Sequence, residues 1–333
     1  MRVFLGNAPW RMGDKVGVRA GSRWPFTVKC KDRVPGYVPF PFFLAYATAV
    51  LEENGVDVNL VDGVAEGLSR EEFINRIRKF NPDLVLLETS TPSIQVDLET
   101  AKEIKERIGC EVALSGPHVS VMYSEVMEKN FVDYILVGEY EYTLLDLVRY
   151  LEKGKDLREV KGLVYRRGGK IKVNERRPLI EDLDELPWPA RHFLPMYNYN
   201  DDFAGMLKPN TQMWASRGCP FGCIFCLWPK VMYGSRKHRV RDPVKVVDEM
   251  EWLIDTYKFK SIFFDDDTFN IGKKRVIALA NEIKERGIDV PWSIMASAQT
   301  MDREMLEAMK KAGLVSLKYG VESGDQEMLN RAK

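Results

Sequence analysis

The sequence predicts a two-domain α/β protein, in which two runs of alternating strands and helices are joined by an irregular segment. Three observations indicate this fold class. In the first half, short apolar runs bounded by turn residues alternate with segments of helical periodicity. From Leu179 to about Asn210 the chain is proline-rich and loses this pattern, and the alternation begins again at Thr211. A chain of 333 residues is long enough for two such domains.

The first half is predicted to alternate five buried strands with five helices. The strands are Val3–Gly6, Asp57–Asp62, Asp83–Thr89, Glu111–Gly116 and Asp133–Gly138. The helices are Phe42–Asn54, Ser69–Phe80, Val96–Ile108, Tyr123–Lys129 and Tyr142–Lys153. Ser69 followed by Glu72 is the pattern of a capping box, and Gly55 is suited to end the first helix. This alternation predicts a doubly wound, Rossmann-like parallel sheet that binds ligands at the carboxyl ends of its strands.

The second half is predicted to begin a β/α barrel of the TIM type. A hairpin over Gly162–Pro178, turning at Arg167-Gly168-Gly169, precedes the proline-rich segment. The predicted strands that follow are Thr211–Ala215, Ser261–Asp265, Pro291–Ala296 and Leu314–Val321, and the helices are Pro243–Tyr257, Lys273–Arg286 and Arg303–Ala312. The expected domains are therefore 1–155, a hairpin and linker over 156–210, and a partial barrel over 211–333.

The count of barrel strands predicts a longer natural protein. Only four strands fit before Lys333, and the last nine residues read as the first turns of a helix. A sheet that ended there would leave an apolar edge uncovered. We therefore expect the natural chain to continue beyond residue 333.

Composition restricts the function classes. Lys plus Arg and Asp plus Glu both number 49, so no global charge points to nucleic acid or to a membrane surface. The longest apolar stretch, Val38–Leu51, is interrupted by prolines and is too short to span a bilayer. The first residues lack the apolar core of a signal peptide, and clustered, odd-numbered cysteines fit a reducing compartment. We expect a cytoplasmic protein without a transmembrane segment.

Three cysteines within eight residues are the strongest chemical signal. Cys219, Cys223 and Cys226 have the spacing C-x3-C-x2-C, which supplies three thiolates and no fourth. A structural zinc site needs four ligands, whereas three thiolates on a [4Fe-4S] cluster leave one iron open for a substrate or cofactor. Cys110 reads as a small buried residue, and zinc bound by the three cysteines with Cys30 remains the alternative.

The strand ends of the first half predict a site for a large, flat ligand. The turn after the first strand is Asn7-Ala8-Pro9-Trp10, without the G-x-G-x-x-G that a dinucleotide requires. Small and hydroxyl-bearing residues follow the later strands instead, and they let a ligand approach the backbone. These segments are Thr89-Ser90-Thr91, Ser115-Gly116-Pro117-His118 and Gly138-Glu139. For His118, a ligand contact and a purely local role in the loop both remain open.

The long first connection, from Trp10 to Tyr37, is rich in basic and aromatic residues. It contains Arg11, Lys15, Arg19, Arg23, Lys29, Lys31 and Arg33, together with Trp24 and Phe26. A connection of this length is commonly functional or disordered. It is either a cover over a cofactor or an anionic substrate, or a solvated loop.

Together these residues resemble the cobalamin (B12)-binding radical SAM (S-adenosylmethionine) enzymes, over essentially the whole chain. The cysteine motif, with Phe225 just before its last cysteine, is similar to the signature of that superfamily. The resemblance implies that the cysteines hold a [4Fe-4S] cluster whose open iron binds SAM, and that Phe225 packs near the adenine. The segments Phe264–Asp267, Ala296–Gln299 and Tyr319–Gly324 are similar to later motifs that contact SAM, which implies contacts from Asp266, Asp267, Ser297, Gln299 and Glu322.

The first domain is similar to the cobalamin domain of such enzymes. The implied cobalamin contacts are Pro9, Trp10, Asp62, Val64, Ser90, Thr91, Gly116, His118, Gly138 and Glu139. One departure is informative. Domains that place a histidine beneath cobalt carry D-x-H-x-x-G, whereas the corresponding stretch, Asp62–Gly67, has Val64 at the histidine position. The resemblance then implies cobalt without a histidine lower ligand, as in many radical SAM members.

The function that the resemblance implies is C-methylation of an unactivated carbon through a 5′-deoxyadenosyl radical. A radical cyclase or rearrangement enzyme with the same cofactors is the alternative, and a non-catalytic zinc- and ligand-binding protein is the contrasting class. The expected partners are a small-molecule substrate, anionic or partly apolar, and an electron donor such as ferredoxin or flavodoxin. No residue of the sequence is identified as a catalytic group for the substrate.

Overall fold

The structure is a computed structural model that describes residues 1–17, 27–30, 32–34, 36–199 and 205–332. Five residues of the predicted basic and aromatic loop lie outside these ranges: Arg19, Arg23, Trp24, Phe26 and Lys31. The chain divides into two compact units. The first comprises Met1–Ile180, Leu186–Asn198 and Val231–Tyr233, and the second comprises Glu181–Glu185, Tyr199–Lys230 and the residues from Gly234 onward.

The first unit is built on a mainly parallel sheet flanked by helices. Its strands are β1 Arg2–Asn7, β2 Arg11–Met12, β3 Lys15–Gly17, β4 Thr27–Lys29, β5 Asp57–Asp62, β6 Leu84–Glu88, β7 Glu111–Ser115, β8 Tyr134–Leu136, β9 Leu163–Arg167 and β10 Lys170–Val173. Its helices are α1 Phe42–Glu53, α2 Arg70–Phe80, α3 Ile94–Arg107, α4 Val119–Met127 and α5 Glu141–Glu152. The parallel strands of the sheet are mostly buried, as expected for a sheet that helices cover, whereas β10 is largely exposed.

The strand order of this sheet is β10-β9-β8-β7-β6-β1-β5. Strands β5 to β8 run parallel with β1, which confirms the predicted doubly wound sheet. The predicted hairpin, formed by β9 and β10, joins the same sheet, because β9 pairs antiparallel to β8 with Leu136 opposite Leu163. The carboxyl ends of the five parallel strands therefore lie along one edge of the sheet.

Local sequence signals explain where some of the helices begin. Ser69 and Glu72 form the predicted capping box, in which the Ser69 hydroxyl accepts from the Glu72 N–H and the Glu72 carboxylate accepts from the Ser69 N–H. Helix α4 begins at Val119, four residues before the predicted start at Tyr123, and it is kinked at Met122, whose backbone is non-helical, so the predicted start matches the segment after the kink. Its N-cap residue, His118, makes no side-chain capping hydrogen bond, so the sequence carries no capping signal at that point.

Part of the long first connection forms a small antiparallel sheet, with the strand order β2-β3-β4. Trp10 is buried beneath it, and the Gly17 N–H donates to the Trp10 carbonyl at 2.7 Å. A Cβ on Gly17 would lie 1.9 Å from the Trp10 ring, so glycine is required where strand and indole meet. The sequence predicted a loop here, without these strands.

The second unit contains a sheet of four parallel strands with helices between them, and a separate pair of short antiparallel strands, β12 Ser216–Arg217 and β13 Arg239–Val240. The strands of the sheet are β11 Asn210–Met213, β14 Ser261–Phe264, β15 Trp292–Met295 and β16 Leu314–Lys318. Its helices are α6 Pro243–Tyr257, α7 Lys273–Glu285, α8 Arg303–Lys311 and α9 Gln326–Ala332. The order β11-β14-β15-β16 is that of a partial barrel, and the sheet does not close on itself within the described residues.

Aromatic packing and a helix cap stabilise this second sheet. The buried rings of Phe264, Phe269 and Trp292 contact one another, with centroid separations of 5.0 to 6.1 Å. Helix α6 begins at Pro243, and the preceding Asp242 carboxylate accepts from the Val244 N–H at 2.9 Å. Among the residues that are described, no helix has the length and apolar character needed to cross a membrane.

Candidate functional site

The cysteine loop follows β11 and is fastened to the end of the neighbouring strand β14. The Asp265 N–H donates to the Met213 carbonyl at 2.9 Å, which continues the ladder of the two strands by one residue. The Trp214 indole N–H donates to the Asp265 carbonyl at 2.8 Å. From the other side, the buried Arg241 guanidinium donates to the Trp214 carbonyl at 2.9 Å. The backbone that leads into the loop is thus fixed before the first cysteine is reached.

Asp266 holds the next two residues of this loop. Its side chain is fully buried, and its carboxylate accepts hydrogen bonds from the Ala215 N–H at 3.3 Å and from the Ser216 hydroxyl. Burial disfavours the charged form and raises the pKa of Asp266 to about 6, although the Ser216 hydrogen bond and the charge of Arg275 act in the opposite direction. The sequence predicted a contact with SAM for Asp266, whereas its hydrogen bonds are made to the loop itself.

Asp267 holds the residue that precedes the first cysteine. Its carboxylate accepts from the Gly218 N–H at 2.8 Å. Gly218 has φ +92°, and a Cβ there would lie 2.1 Å from the Lys237 carbonyl oxygen, so only glycine fits. Thr268 then reaches the cysteine, with 3.2 Å between its hydroxyl oxygen and the Cys219 sulfur. Three consecutive residues after β14 therefore contact the loop from Ala215 to Cys219.

Cys219, Cys223 and Cys226 are free and half-buried. Burial raises the pKa of the Cys219 and Cys226 thiols, and the negative charges of Asp267 and of neighbouring thiolates add to the shift. Thiolates that disfavour one another's charge are stabilised when a cationic group such as iron binds them. The cysteine loop therefore has the donor chemistry of a metal or cluster site.

The geometry bears on the choice between a zinc ion and a cluster. Within the described ranges, no three Cys, His, Asp or Glu side chains converge on a point that a single metal ion would occupy. In a cubane cluster each thiolate ligates a different iron, so the three sulfurs need not meet at one atom. Cys30, the proposed fourth zinc ligand, packs against the buried pair Val16 and Val64. The three thiols of the loop are one ligand short of a closed zinc site and match the three thiolates that leave one iron of a cubane open.

The outer side of the cysteine loop is open and basic. Phe225 and Ile224 expose more than half of their surfaces, and the Lys230 ammonium donates to the Ile224 carbonyl at 3.1 Å. A cavity of about 310 Å³ lies beside Cys223 and is bounded on one side by Lys230 and Arg236. Phe225, the predicted adenine contact, does not line this cavity and is exposed on the same loop.

The other predicted SAM contacts follow β15 and β16. The Ser297 N–H donates to Asn270 Oδ1 at 2.7 Å, and Asn270 Nδ2 donates to the Ser297 carbonyl at 2.8 Å. Gln299 and Glu322 are exposed, and Glu322 has φ +64°, which is uncommon for a residue with a side chain. Because all four strands of the sheet are parallel, these residues and the cysteine loop lie at the same edge.

In the first unit, the residues after β5 form a tight turn. Asp62 Oδ1 accepts from the Val64 and Ala65 N–H groups at 3.1 and 3.2 Å. Val64, at the predicted histidine position, is 3% exposed and packs with Val16. The Gly63 N–H donates to the Asn7 carbonyl at 2.9 Å, and a Cβ on Gly63 would lie 2.8 Å from the Pro9 ring. The turns after β1 and β5 are therefore packed against each other.

Hydroxyl groups and a histidine line the ends of β6 and β7. Thr91 is exposed, and its hydroxyl lies 3.2 Å from His118 Nδ1. Partial burial lowers the pKa of His118, which favours its neutral form. Beneath this pair, the Ser90 and Ser93 hydroxyls lie 2.9 Å apart, and the Ser93 hydroxyl donates to Asp97 at 2.6 Å. The edge offers neutral donors and acceptors, which suits a ligand rich in amide groups.

Two glycines at this edge are required by the protein's own backbone. Gly116 has φ +100°, and a Cβ there would lie 2.3 Å from the Thr89 carbonyl. Gly138 has φ +76°, and a Cβ there would lie 2.8 Å from the Met232 carbonyl. The sequence attributed both to ligand approach, but these contacts alone demand glycine. Glu139, also a predicted contact, is buried and accepts from the Ile180 N–H at 3.2 Å.

Several residues that shape these sites were missed from the sequence. They are Thr268, Asn270 and, in the first unit, Arg176, which donates to the Val231 and Met232 carbonyls. Thr268 and Asn270 directly continue the acidic run after β14, so their position in the chain was an available signal. Arg176 acts on backbone that is distant in sequence, and no local pattern reveals such a partner.

Two family models match the sequence. The model described as B12 binding domain matches residues 32–148, and that of the radical SAM superfamily matches residues 215–333, so together they span more than half of the chain. The second match begins just after β11 and contains the whole cysteine motif. The chain belongs to the B12-binding radical SAM family. Cobalamin, SAM and a [4Fe-4S] cluster, the cofactors predicted from the sequence, are those of this family.

The curated relatives of this B12-binding radical SAM chain differ in activity. An uncharacterized methyltransferase of Pyrococcus horikoshii is 35% identical, over 92% of this chain and 65% of the relative. The anaerobic magnesium-protoporphyrin IX monomethyl ester cyclase of Cereibacter sphaeroides is 32% identical, over 87% of this chain and 48% of the relative. The chain thus spans about one half to two thirds of the length of these relatives.

Solved structures show the same fold. The radical enzyme OxsB, with aqua-cobalamin and S-adenosylmethionine bound, matches 99% of this chain and 45% of that chain, with a TM-score of 0.75 and 19% identity. The methyltransferase TsrM from Kitasatospora setae, with cobalamin and a [4Fe-4S] cluster bound, matches 98% of this chain and 60% of that chain, with a TM-score of 0.72 and 18% identity. The predicted fold class is confirmed.

Proposed function

We propose that this chain is the cofactor-binding part of a radical SAM enzyme that transfers a methyl group from cobalamin to a carbon atom of its substrate. The observation that carries the proposal is the cysteine loop. It presents three half-buried thiols without a fourth, and it follows a B12-binding domain in the same chain. Relatives described as methyltransferases add support.

The second unit supplies the groups for the cluster and SAM. Cys219, Cys223 and Cys226 ligate the cluster, and Phe225 packs against the adenine. Asp267, Ser297, Gln299 and Glu322 surround SAM, where carboxylates suit its ammonium and ribose hydroxyls and amide or hydroxyl groups add hydrogen bonds. Asp266 acts from beneath by holding Ala215 and Ser216. A cluster with one open iron supplies the electron that cleaves SAM, and cobalamin supplies the methyl group.

The first unit supplies the edge that holds cobalamin. Thr91 and His118 offer neutral hydrogen-bonding groups to the amide side chains of the cofactor, and Ser90 stabilises their turn through Ser93. The buried residues of the turns at this edge hold the backbone against which cobalamin would lie; they are Pro9, Trp10, Asp62, Gly116, Gly138 and Glu139. Val64 is enclosed in an apolar cluster, so the chain supplies no histidine at this position to the lower face of cobalt.

Cyclisation or rearrangement is the second candidate, because the cyclases of Cereibacter sphaeroides and Rubrivivax gelatinosus are nearly as similar to this chain as its methyltransferase relative. Both candidates use the same cofactors, and they differ in the fate of SAM. Methylation consumes a second SAM to restore the methyl group on cobalt and therefore forms S-adenosylhomocysteine. Cyclisation forms 5′-deoxyadenosine and no S-adenosylhomocysteine.

The proposal also covers the setting of the reaction. The domains are 1–155 and 211–333, joined by 156–210, whose hairpin β9–β10 extends the sheet of the first domain. The location is the cytoplasm, and a ferredoxin or flavodoxin supplies the electron. The substrate is a small molecule that is anionic or partly apolar, as the basic and aromatic first connection suggests. The activity, its substrate and its partners are proposed for the whole protein, of which the chain forms about one half to two thirds when measured against its relatives.

Anaerobic purification and reconstitution test the proposal. We expect brown protein with four irons and four sulfides per chain, as a [4Fe-4S] cluster requires, and cobalamin bound at a ratio of about one. The triple variant Cys219→Ala/Cys223→Ala/Cys226→Ala should bind cobalamin and lack iron. Colourless protein containing one zinc ion would contradict the proposal. With a dithionite-reduced sample, S-adenosylhomocysteine together with 5′-deoxyadenosine supports methylation, and 5′-deoxyadenosine alone supports cyclisation.

A further inference from the structure

The residues that follow β14 contact the cysteine loop in order. Asp266 accepts from Ala215 and Ser216, Asp267 accepts from Gly218, and the Thr268 hydroxyl lies 3.2 Å from the Cys219 sulfur. The two carboxylates therefore fix the backbone of residues 215–218, directly before Cys219. These hydrogen bonds hold the backbone just before each of the two residues, and they thereby place Thr268 opposite Cys219.

The protons at this contact can be counted. Thr268 Oγ1 lies 2.7 Å from the Asp267 carbonyl oxygen and 3.2 Å from the Cys219 sulfur, and it carries one proton. When Cys219 is a thiol, the S–H donates to Oγ1, and Oγ1–H donates to the carbonyl. A sulfur that ligates iron has lost its proton. The contact is then attractive only if the Thr268 hydroxyl turns and donates to sulfur.

We propose that Thr268 donates a hydrogen bond to the ligating Cys219 thiolate and thereby raises the reduction potential of the cluster. The inference rests on the proposed function, since it requires the three cysteines to hold a cluster. Thr268 is 5% exposed, so the hydrogen bond is formed away from water, where it is stronger. Reduction adds one negative charge to the cluster, and a donor at sulfur stabilises the more negative state.

The variant Thr268→Val removes the hydroxyl while keeping the branched shape of the side chain. Both oxidation states of the cluster accept this hydrogen bond, and the reduced state accepts it more strongly because it carries one more negative charge. We expect the variant to shift the reduction equilibrium of the cluster against the reduced form by roughly tenfold, which is ~59 mV for a one-electron couple. The measurement is an anaerobic potentiometric titration of the reconstituted protein, followed by electron paramagnetic resonance (EPR) of the reduced cluster. Thr268→Ser keeps the hydroxyl and should retain the wild-type potential.

A matched control is Thr256→Val, since Thr256 is an exposed residue of α6. It should leave the potential unchanged. If the valine variant takes up no iron, Thr268→Ala removes the hydroxyl without a second methyl group and allows the same comparison. If the Thr268→Val or Thr268→Ala protein holds a cluster with the reduction potential of the wild type, the inference is wrong and the proposed function is unaffected. Wild-type protein that binds no cluster would overturn the proposed function together with it.

Discussion

The carboxylate of Asp267 accepts a hydrogen bond from the Gly218 N–H at 2.8 Å, one residue before Cys219. This hydrogen bond joins the loop after β11 to the loop after β14. It holds Gly218, the residue directly before the cysteine motif. Asp267 also lies at the sheet edge where we propose that SAM binds. One residue thus links the placement of the cluster with the placement of the cofactor.

Substitution of Asp267 should separate these two roles. Asp267→Ala removes the acceptor for Gly218, and we expect iron content after reconstitution to fall several-fold, since the hydrogen bond to a charged group contributes about 1.5–3 kcal/mol. Asp267→Asn keeps an oxygen acceptor, so it should retain iron but bind SAM more weakly because the negative charge is lost. Iron analysis and SAM titration measure the two effects. Asp255→Ala, at an exposed position of α6, is the control. Equal iron content in all three variants would contradict the prediction.

Gly218→Ala should destabilise the second unit. The residue has φ +92°, and the added methyl group would lie 2.1 Å from the Lys237 carbonyl oxygen. The left-handed conformation and the overlap together should reduce the free energy of unfolding by about 2–4 kcal/mol. Thermal unfolding of the iron-free protein measures the change.

Gly287→Ala is the matched control for this substitution. Gly287 also has a positive φ, +68°, but a Cβ there would have no neighbour within 4 Å. The free energy of unfolding should fall by only about 1 kcal/mol, which is the cost of placing alanine at a positive φ without any steric overlap. Similar losses in the two variants would show that the contact with Lys237 is unimportant.

Periodicity and capping signals predicted the strands and most helix limits, because they depend on neighbouring residues. Asp57–Asp62 and Pro243–Tyr257 were predicted with their observed bounds. The predicted start of the fourth helix at Tyr123 falls just after Met122, where the backbone of α4 is non-helical, so the prediction omitted only the turn before this kink. The small sheet of β2, β3 and β4 depends on the contact of Gly17 with Trp10, which no local pattern encodes.

In the candidate site, too, the motif could be predicted from neighbouring residues, whereas contacts between distant residues could not. The cysteine spacing identified the motif, and the family match contains it. The direction of each carboxylate after β14 could not be predicted, because successive residues of an extended chain point to opposite sides and only the fold decides which side is occupied. Asp266 was therefore predicted as a ligand contact and is found buried beneath the loop. The same limitation applies to Gly116, whose neighbour, the Thr89 carbonyl, belongs to another strand end.

Val64→His should not create a histidine ligand for cobalt. Val64 is 3% exposed and lies in an apolar cluster with Val16, Cys30 and Tyr37. An imidazole there would be buried without a defined partner, at a cost of about 1–3 kcal/mol. We expect a lower melting temperature, and an EPR spectrum of bound cob(II)alamin without the splitting that a nitrogen ligand produces. Val121→His, on the exposed side of α4, is the control for stability. Nitrogen splitting that is present in the Val64 variant and absent from the wild type would show that the turn opens toward cobalamin.

The protonation of Asp266 should make the stability of the second unit depend on pH. Burial raises the pKa of this carboxyl from 3.8 to about 6, so the folded state binds the proton more tightly than the unfolded state. Its contribution to the free energy of unfolding is therefore complete below the unfolded-state value and is lost as the pH rises through about 6. The two pKa units correspond to a loss of up to ~3 kcal/mol.

Asp266→Asn removes this titration and keeps the size of the side chain. Urea unfolding of the iron-free protein at pH 4.5 and pH 7 measures the effect in both proteins. We expect the wild type to lose stability relative to the variant as the pH is raised, whereas Asp255→Asn, at an exposed position, should follow the wild type at both values. A wild-type to Asp266→Asn difference that is the same at pH 4.5 and pH 7 would mean that Asp266 does not titrate in this interval. The carboxylate would then be charged beneath the cysteine loop at both values, stabilised by Ser216, Ala215 and Arg275 more strongly than burial opposes it.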